Sequence, residues 1–304
     1  MKSLIKRIKK AVKNPKTAIF ALMDTGIGRV IPDKQYLEFL YKLKLGKKLD
    51  LENPQTFNEK MQWIKLYDKK PEYTVMADKY AVKKYISDKI GEEYVIPLIG
   101  VWDNYDDIDF DKLPNQFVLK ATHNSGGLCI CKDKGKFDKE SVRKTFVKVL
   151  KKDYFYHMRE WPYKNVPRRI IAEKYMEDKD TETLVVYKVF NFGGEPKIIQ
   201  VIQNDKKENE VIDYFDTEWN LLELRQNFNN SNNPTKRPEC LQKMLELSSV
   251  LSKDIPFVRV DWYVINGRLY FSEFTFFSDA GMAAFTPEEW DYKLGSWISL
   301  PEKK

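Results

Sequence analysis

The sequence predicts an α+β fold: two mixed or antiparallel sheets with flanking helices, plus a helical N-terminal extension. Three observations carry this. From Gln116 onward, short β-rich runs come in pairs separated by single helical stretches, not in the strict alternation of a doubly wound parallel sheet. The segment "PFVRVDWYVINGRLYFSEFTF" reads as a hairpin about Asn266-Gly267, a dipeptide suited to a tight turn. The first ninety or so residues, by contrast, keep their apolar side chains at helical spacing.

Taken in order, residues up to about Leu49 are expected to be helical, with a break at Gly26/Gly28 and a start signal at Pro32-Asp33. Thr56 with Glu59 three residues on forms a capping-box pattern, and Met61, Trp63, Ile64 and Tyr67 follow on one helix. A second helix is expected from about Glu72 to Ile90, closed by Gly91. Tyr94 to Trp102 reads as a strand. Next come the strands "FVLKAT" and "LCICK", a helix from about Glu140 to Lys152, and the strand "RIIAEKYM". "TLVVYKVFNF", "PKIIQVI" and "EVIDYF" are three more strands, followed by a helix over Arg237 to Lys253, the hairpin, and a closing helix over Glu288 to Ile298. The domain division that follows is a basic helical extension (1–49), a helical region (50–115) and two β-rich parts (116–182 and 183–304).

Composition excludes several classes. At 304 residues, 42% hydrophobic and 14% aromatic, the chain can bury a sizeable core and is not a disordered one. Three cysteines cannot form a paired framework and fit a reducing compartment. No stretch is long and apolar enough to span a bilayer, so the expected location is cytoplasmic. Much of the formal net charge of +7 sits on Lys2, Lys6, Arg7, Lys9, Lys10 and Lys13, which alternate with apolar residues. Such a basic amphipathic helix over residues 2–13 can lie on an anionic surface, which would place the protein peripherally at the inner membrane face. An ordinary packed surface helix explains the same pattern. Elsewhere the charges are mixed, and no nucleic-acid partner is expected.

Four segments carry candidate chemistry. In the hairpin, strand alternation puts Arg259, Asp261 and Tyr263 on one face. A two-residue loop would pair Glu273 with Val260 and aim it away from Asp261. A three-residue loop with Gly267 in a left-handed bulge brings Glu273 onto the Asp261 face, and two carboxylates with an arginine make a natural Mg²⁺ site. A solvated hairpin face is the competing explanation. In "FVLKATHNSGGLCIC", Lys120 ends an apolar strand and precedes a turn with Ser125, Gly126 and Gly127, whose backbone can approach an anion closely. Gly-Gly turns between strands are also common without any ligand. Glu173, followed by Lys174, lies where an apolar strand enters an acidic loop and suits either an adenine amino group or open solvent. Lys188 is a lone cation on an otherwise apolar strand. His123, beside the glycine turn, reads first as an ordinary turn residue, and Asp107/Asp109 read as solvated surface rather than as a sugar-nucleotide motif.

These segments in this order, together with "DLENPQTFNEKMQWIKLYDKKPEYTVMADKYAVKKYI" and "FTPEEWDYKLGSWI", resemble the ATP-grasp superfamily and more closely its TupA-like family, found among polysaccharide and capsule biosynthesis proteins. The resemblance spans nearly the whole chain. It implies an ATP-grasp fold with residues 116–182 as the lid subdomain and 183–304 as the metal-binding subdomain, ATP and Mg²⁺ as cofactors, and a ligase that activates a carboxylate. The implied partners are a sugar or glycan bearing that carboxylate or a hydroxyl, and an amine donor. By the same resemblance Lys120 contacts the α- and β-phosphates and Ser125, Gly126 and Gly127 form the lid loop. Glu173, Lys174 and Tyr175 surround the adenine, while Asp261 and Glu273 hold Mg²⁺. Arg259 would stabilise the charged intermediate and Lys188 would reach the phosphates. Two positions depart from the family pattern: Thr275 stands where many members carry a metal-binding asparagine, and Val186 where an aspartate would contact ribose. Glu182 is the nearest acid able to replace the latter. A kinase using the same site, a glycosyltransferase using Asp107 and Asp109, and a non-catalytic module are the alternative functions.

Overall fold

The computed structural model describes residues 26–205 and 207–303, so the basic segment 2–13 lies outside the described residues. Nine α-helices occur among them: α1 Gly26–Val30, α2 Asp33–Leu45, α3 Phe57–Tyr67, α4 Glu72–Ala77, α5 Ala81–Ile90, α6 Lys139–Leu150, α7 Phe155–Met158, α8 Leu241–Ser252 and α9 Glu289–Ser296. The strands are β1 Leu98–Trp102, β2 Phe117–Ala121, β3 Leu128–Cys131, β4 Ile170–Lys174, β5 Val186–Phe192, β6 Glu195–Gln203, β7 Val211–Phe215, β8 Phe257–Ile265 and β9 Arg268–Thr275. They form a four-stranded sheet in the order β1-β4-β2-β3 and a five-stranded sheet in the order β7-β6-β5-β8-β9, with antiparallel pairing throughout. The expected α+β architecture is therefore the observed one. β1, which the sequence division leaves in residues 50–115, is an edge strand of the small sheet.

Several local expectations are met for the reasons that suggested them. Thr56 accepts from the Glu59 amide while Glu59 accepts from the Thr56 amide, closing the capping box of α3. Asn266 and Gly267 both have positive φ, 49° and 77°, as a two-residue turn matched to strand twist requires.

Three expectations are corrected. The helix expected over residues 72–90 is two helices, because Asp78 leaves the helical region (ψ 111°) and its carboxylate accepts from Arg169 and the Tyr80 amide. Tertiary pairing with Arg169 overrides the local helix preference there. Gly26 and Gly28 lie within α1, and the interruption among the described residues comes at Ile31-Pro32. The hairpin loop has two residues, not three, since Ile265 pairs with Arg268.

Each sheet is amphipathic. On the small sheet Phe117, Leu119, Ala121, Ile170 and Ala172 pack with Phe146 of α6, Tyr105 and Phe110 in a core of their own. Alternation sends Lys120 and Glu173 to the opposite face. On the large sheet Val258, Val260 and Trp262 are fully buried, and Trp262 Nε1 donates to Ser248 Oγ of α8 at 2.9 Å. Alternation again leaves Arg259, Asp261 and Tyr263 on the other face. Phe57 of α3 meets Phe257 edge-on at 4.8 Å between ring centres, fixing the helical region against the hairpin sheet.

Candidate active site

The polar faces of the two sheets border adjoining clefts. The first, about 750 Å³ including its open side, is lined by Lys79, Lys83, Lys120, Ser125, Gly126, Gly127, Leu128, Glu173, Tyr263, Phe271 and Glu273, among others. The second, about 1140 Å³ on the same measure, includes Lys188, Gln200, Arg259, Thr275, Tyr154, Tyr163, Gln226 and Asp279. Ser125 and Glu273 line both, so the glycine loop and the carboxylate hairpin meet at their junction.

Glu273 faces Asp261 directly across β8 and β9. The parity is set by a bulge: Trp262 pairs with Phe271, Asp261 with Glu273, and Ser272 is the extra residue. Hydrogen-bond register continues the row across the sheet, from Glu273 through Asp261 and Lys188 to Gln200 and Tyr214. Asp261, 1% exposed, accepts two bonds from Arg259 at 2.7 and 2.8 Å and lies 3.9 Å from Lys188 Nζ. Arg259 also donates to Ser278 Oγ at 3.1 Å and Thr275 Oγ1 at 2.9 Å. Glu273 pairs with Lys79 at 3.2 Å. Burial works to raise the Glu273 pKa, but Lys79, Lys188 and Arg259 outweigh it and hold the group at about 2. Burial and the neighbouring Arg259 together lower the Lys188 pKa.

In the first cleft Glu173 sits between two cations, 2.5 Å from Lys83 and 2.6 Å from Lys120. Burial raises its pKa and the two lysines more than reverse this, to about 2. Lys120 is driven upward by Glu173 against its own burial. Two lysines on one carboxylate leave a net positive charge facing the cleft. Gly127 has φ +70°, and a Cβ there would meet Ala121 and Val149 at 2.9 Å, so the loop needs glycine at that point. Gly126 opens onto empty space, and Ser125 Oγ bonds Tyr154 Oη at 2.5 Å.

Lys120, Ser125, Gly126, Gly127, Glu173, Glu273, Arg259, Lys188 and Thr275 thus line the two clefts, while Asp261 lies enclosed beside Glu273, clasped by Arg259. Lys174, Tyr175 and Glu182 do not. Lys174 and Tyr175 line a separate hollow by the hairpin turn, with Lys132 5.7 Å above the Tyr175 ring. Glu173 is held by lysines rather than left to accept from a base. Glu182 is 93% exposed and pairs with Lys207 at 3.6 Å, outside both clefts. The Thr275 hydroxyl is already the acceptor of an Arg259 bond. His123 does lie in the turn and is buried there: its Nε2 lies 3.3 Å from the Val149 carbonyl and burial lowers its pKa. Asp107 and Asp109 are exposed beside Asn104 and Lys112.

Sequence reading missed Lys79 and Lys83, because a continuous helix gave no reason to aim either at the small sheet. The Asp78-Lys79 pair, an acid inside a helix-like run, was the available signal. It also missed Gln62 and Lys65 of α3, whose amide and ammonium bind the Ala280 carbonyl at 3.1 and 2.8 Å and so pin the turn that carries Ser278.

The residues present fit a magnesium-bound nucleotide. Glu273 presents a hard carboxylate to both clefts with Asp261 opposite it, Lys79 and Lys188 lie beside this pair, and Lys83 and Lys120 supply cations at Glu173. In the loop, the buried Asn124 Oδ1 has no hydrogen-bond partner among the described residues. Residues 59–299 match the profile of the TupA-like ATP-grasp family. The chain belongs to the TupA-like ATP-grasp family. Among solved structures this family member is similar to the D-alanine–D-alanine ligase of Bacillus anthracis complexed with ATP, at 18% identity and TM-score 0.39, over 66% of this chain and 55% of that one. It is similar also to the phosphoribosylamine–glycine ligase of Thermotoga maritima, at 13% identity and TM-score 0.39, over 67% and 48%. A third is the ATP-grasp ligase PsnB complexed with minimal precursor, Mg and ADP, at 7% identity and TM-score 0.38, over 89% and 65%. The chain thus spans just over half the length of the D-alanine–D-alanine ligase. No curated protein matches it. No helix among the described residues is long and apolar enough to cross a membrane.

Proposed function

We propose that the chain is an ATP-dependent ligase that activates a carboxylate as an acyl phosphate for attack by an amine, on a cell-envelope or capsular glycan. The observation that carries this reading is the opposed pair Asp261 and Glu273, ringed by Lys79, Lys188 and Arg259 at the junction of the two clefts. Family membership supports the nucleotide, while the glycan and the amine rest on the family resemblance. Bound in the first cleft, Mg·ATP supplies the γ-phosphoryl group and the divalent charge that makes its transfer feasible.

The chain's own residues do the rest. Lys120, kept charged by Glu173 and flanked by Lys83, draws phosphate oxygens to the glycine loop. Asp261 and Glu273 would hold the metal ion. Arg259, fixed by Asp261, Ser278 and Thr275, and Lys188 face the second cleft, where they orient the acid and offset charge developing on it. The loop from His123 to Gly127 lies between the clefts and is placed to keep water from the activated acid. In this reading residues 2–13 add a peripheral contact with anionic lipid at the inner membrane face.

A thermal-shift titration tests the first step. Mg·ATP is expected to raise the melting temperature of the wild type, and Glu273→Gln or Asp261→Asn to abolish the increment. A shift produced by a sugar nucleotide and not by Mg·ATP would remove the ligase reading.

A further inference from the structure

We propose that Lys79 is a displaceable cation that ties the glycine loop to Glu273, and that it gives up Glu273 when a divalent cation enters between Asp261 and Glu273. The proposal rests on the metal-binding reading of those two carboxylates.

The placement of Lys79 is built, not incidental. Asp78 ends α4, is held by Arg169 at 2.7 Å, and turns the chain so that the Lys79 amide donates to the Thr122 carbonyl at 3.2 Å. From this fixed root the side chain, 18% exposed, reaches between the sheets. Its ammonium donates to the Asn124 carbonyl at 3.0 Å and to Glu273 Oε2 at 3.2 Å. One side chain therefore connects the helical region, the loop and the hairpin.

The two carboxylates are held differently. Asp261 takes a bidentate bond from an arginine that is itself fixed at two further points, an arrangement with little freedom. Glu273 is held by a lysine, a single charge on a four-carbon stem that can swing away. A divalent ion carries twice the charge of the ammonium, so it outcompetes Lys79 for Glu273 and repels it, with Asp261, still clasped by Arg259, as the second anion beside it. The tether to the Asn124 carbonyl then loses its anchor. Within the loop, Asn124 Oδ1 is buried without a hydrogen-bond partner among the described residues, and such groups ordinarily find one.

Hydrogen–deuterium exchange of the amides of residues 123–127 tests this, on wild type, Lys79→Met and Lys79→Gln, without ligand and with Mn²⁺ alone. Without ligand, the loop of Lys79→Met is expected to exchange roughly fivefold faster than wild type, the scale of one lost tether. Mn²⁺ should speed the wild-type loop and leave Lys79→Met unchanged. Both variants should bind free Mn²⁺ several-fold tighter than wild type, since a competing cation is gone. Lys79→Gln keeps a donor for the Asn124 carbonyl and should hold the loop while showing the tighter Mn²⁺ binding. Unchanged exchange elsewhere in the chain shows that the variants are folded. Wild-type loop exchange in Lys79→Met, or equal Mn²⁺ affinity in all three proteins, overturns the tether and leaves the metal pair standing. No Mn²⁺ binding by any of them overturns the metal assignment and the proposal with it.

Discussion

Asp261 and Glu273 stand directly opposite one another on β8 and β9, although the turn joining these strands has two residues and would by itself aim them to opposite faces. The bulge at Ser272 resolves the conflict. Deleting Ser272 leaves Trp262 facing Phe271 and Asp261 facing Glu273 in a regular ladder, so stabilisation by Mg·ATP should survive the deletion. Loss of that stabilisation in a folded ΔSer272 protein would show that the bend of the bulge is needed as well as its parity.

The Glu173 carboxyl predicts an acid limb in stability. Its pKa in the fold, about 2, lies below the ordinary value of 4.5. The unfolded chain therefore binds the proton first as pH falls. This contribution, on the order of 3 kcal/mol, is present above about pH 5 and is lost as pH falls from about 4.5 toward 2. Urea titrations across that range should show it, and Glu173→Gln should flatten the limb while lowering stability at neutral pH.

On the proposed function, Lys83 is expected to act on the phosphates through Glu173. With Lys83→Met the remaining Glu173–Lys120 pair is neutral, and Mg·ATP affinity should fall roughly tenfold, measured by calorimetric titration. An unchanged affinity would mean that Lys83 only holds the Ile96 carbonyl, 2.8 Å away.

The family's ribose-binding aspartate cannot simply be restored. Val186 is 7% exposed and lies between Tyr263 and Ile202. Val186→Asp should cost at least about 2 kcal/mol by burying a carboxylate without a partner. No gain in nucleotide affinity is expected from it. Glu182 lines neither cleft, so Glu182→Ala should leave nucleotide affinity unchanged.

Gly281 sets how the hairpin meets α3. It has φ +58°, and a Cβ there would come within 2.3 Å of the Met61 Cβ. Gly281→Ala should destabilise by about 2–4 kcal/mol in urea unfolding, from the left-handed backbone and the overlap together.

What the sequence determined alone were the patterns that local chemistry enforces. Alternation on β8 and β2 placed Arg259 and Asp261, and likewise Lys120, on polar faces, and the Thr56/Glu59 box and the Asn266-Gly267 turn followed from backbone hydrogen bonding and φ preference. These are properties of residues within a few positions of one another. The rest depended on pairings between distant segments. Glu273 reached Asp261 through a bulge that no turn rule specifies. Glu173 was claimed by Lys83 and Lys120, which lie 90 and 53 positions earlier in the chain. Lys79 entered the site because Arg169 captured Asp78 and broke a helix that the local sequence favours. Charge neutralisation between remote groups outweighs helix propensity, which is worth only tenths of a kcal/mol per residue, and that competition is settled only when the sheets are assembled.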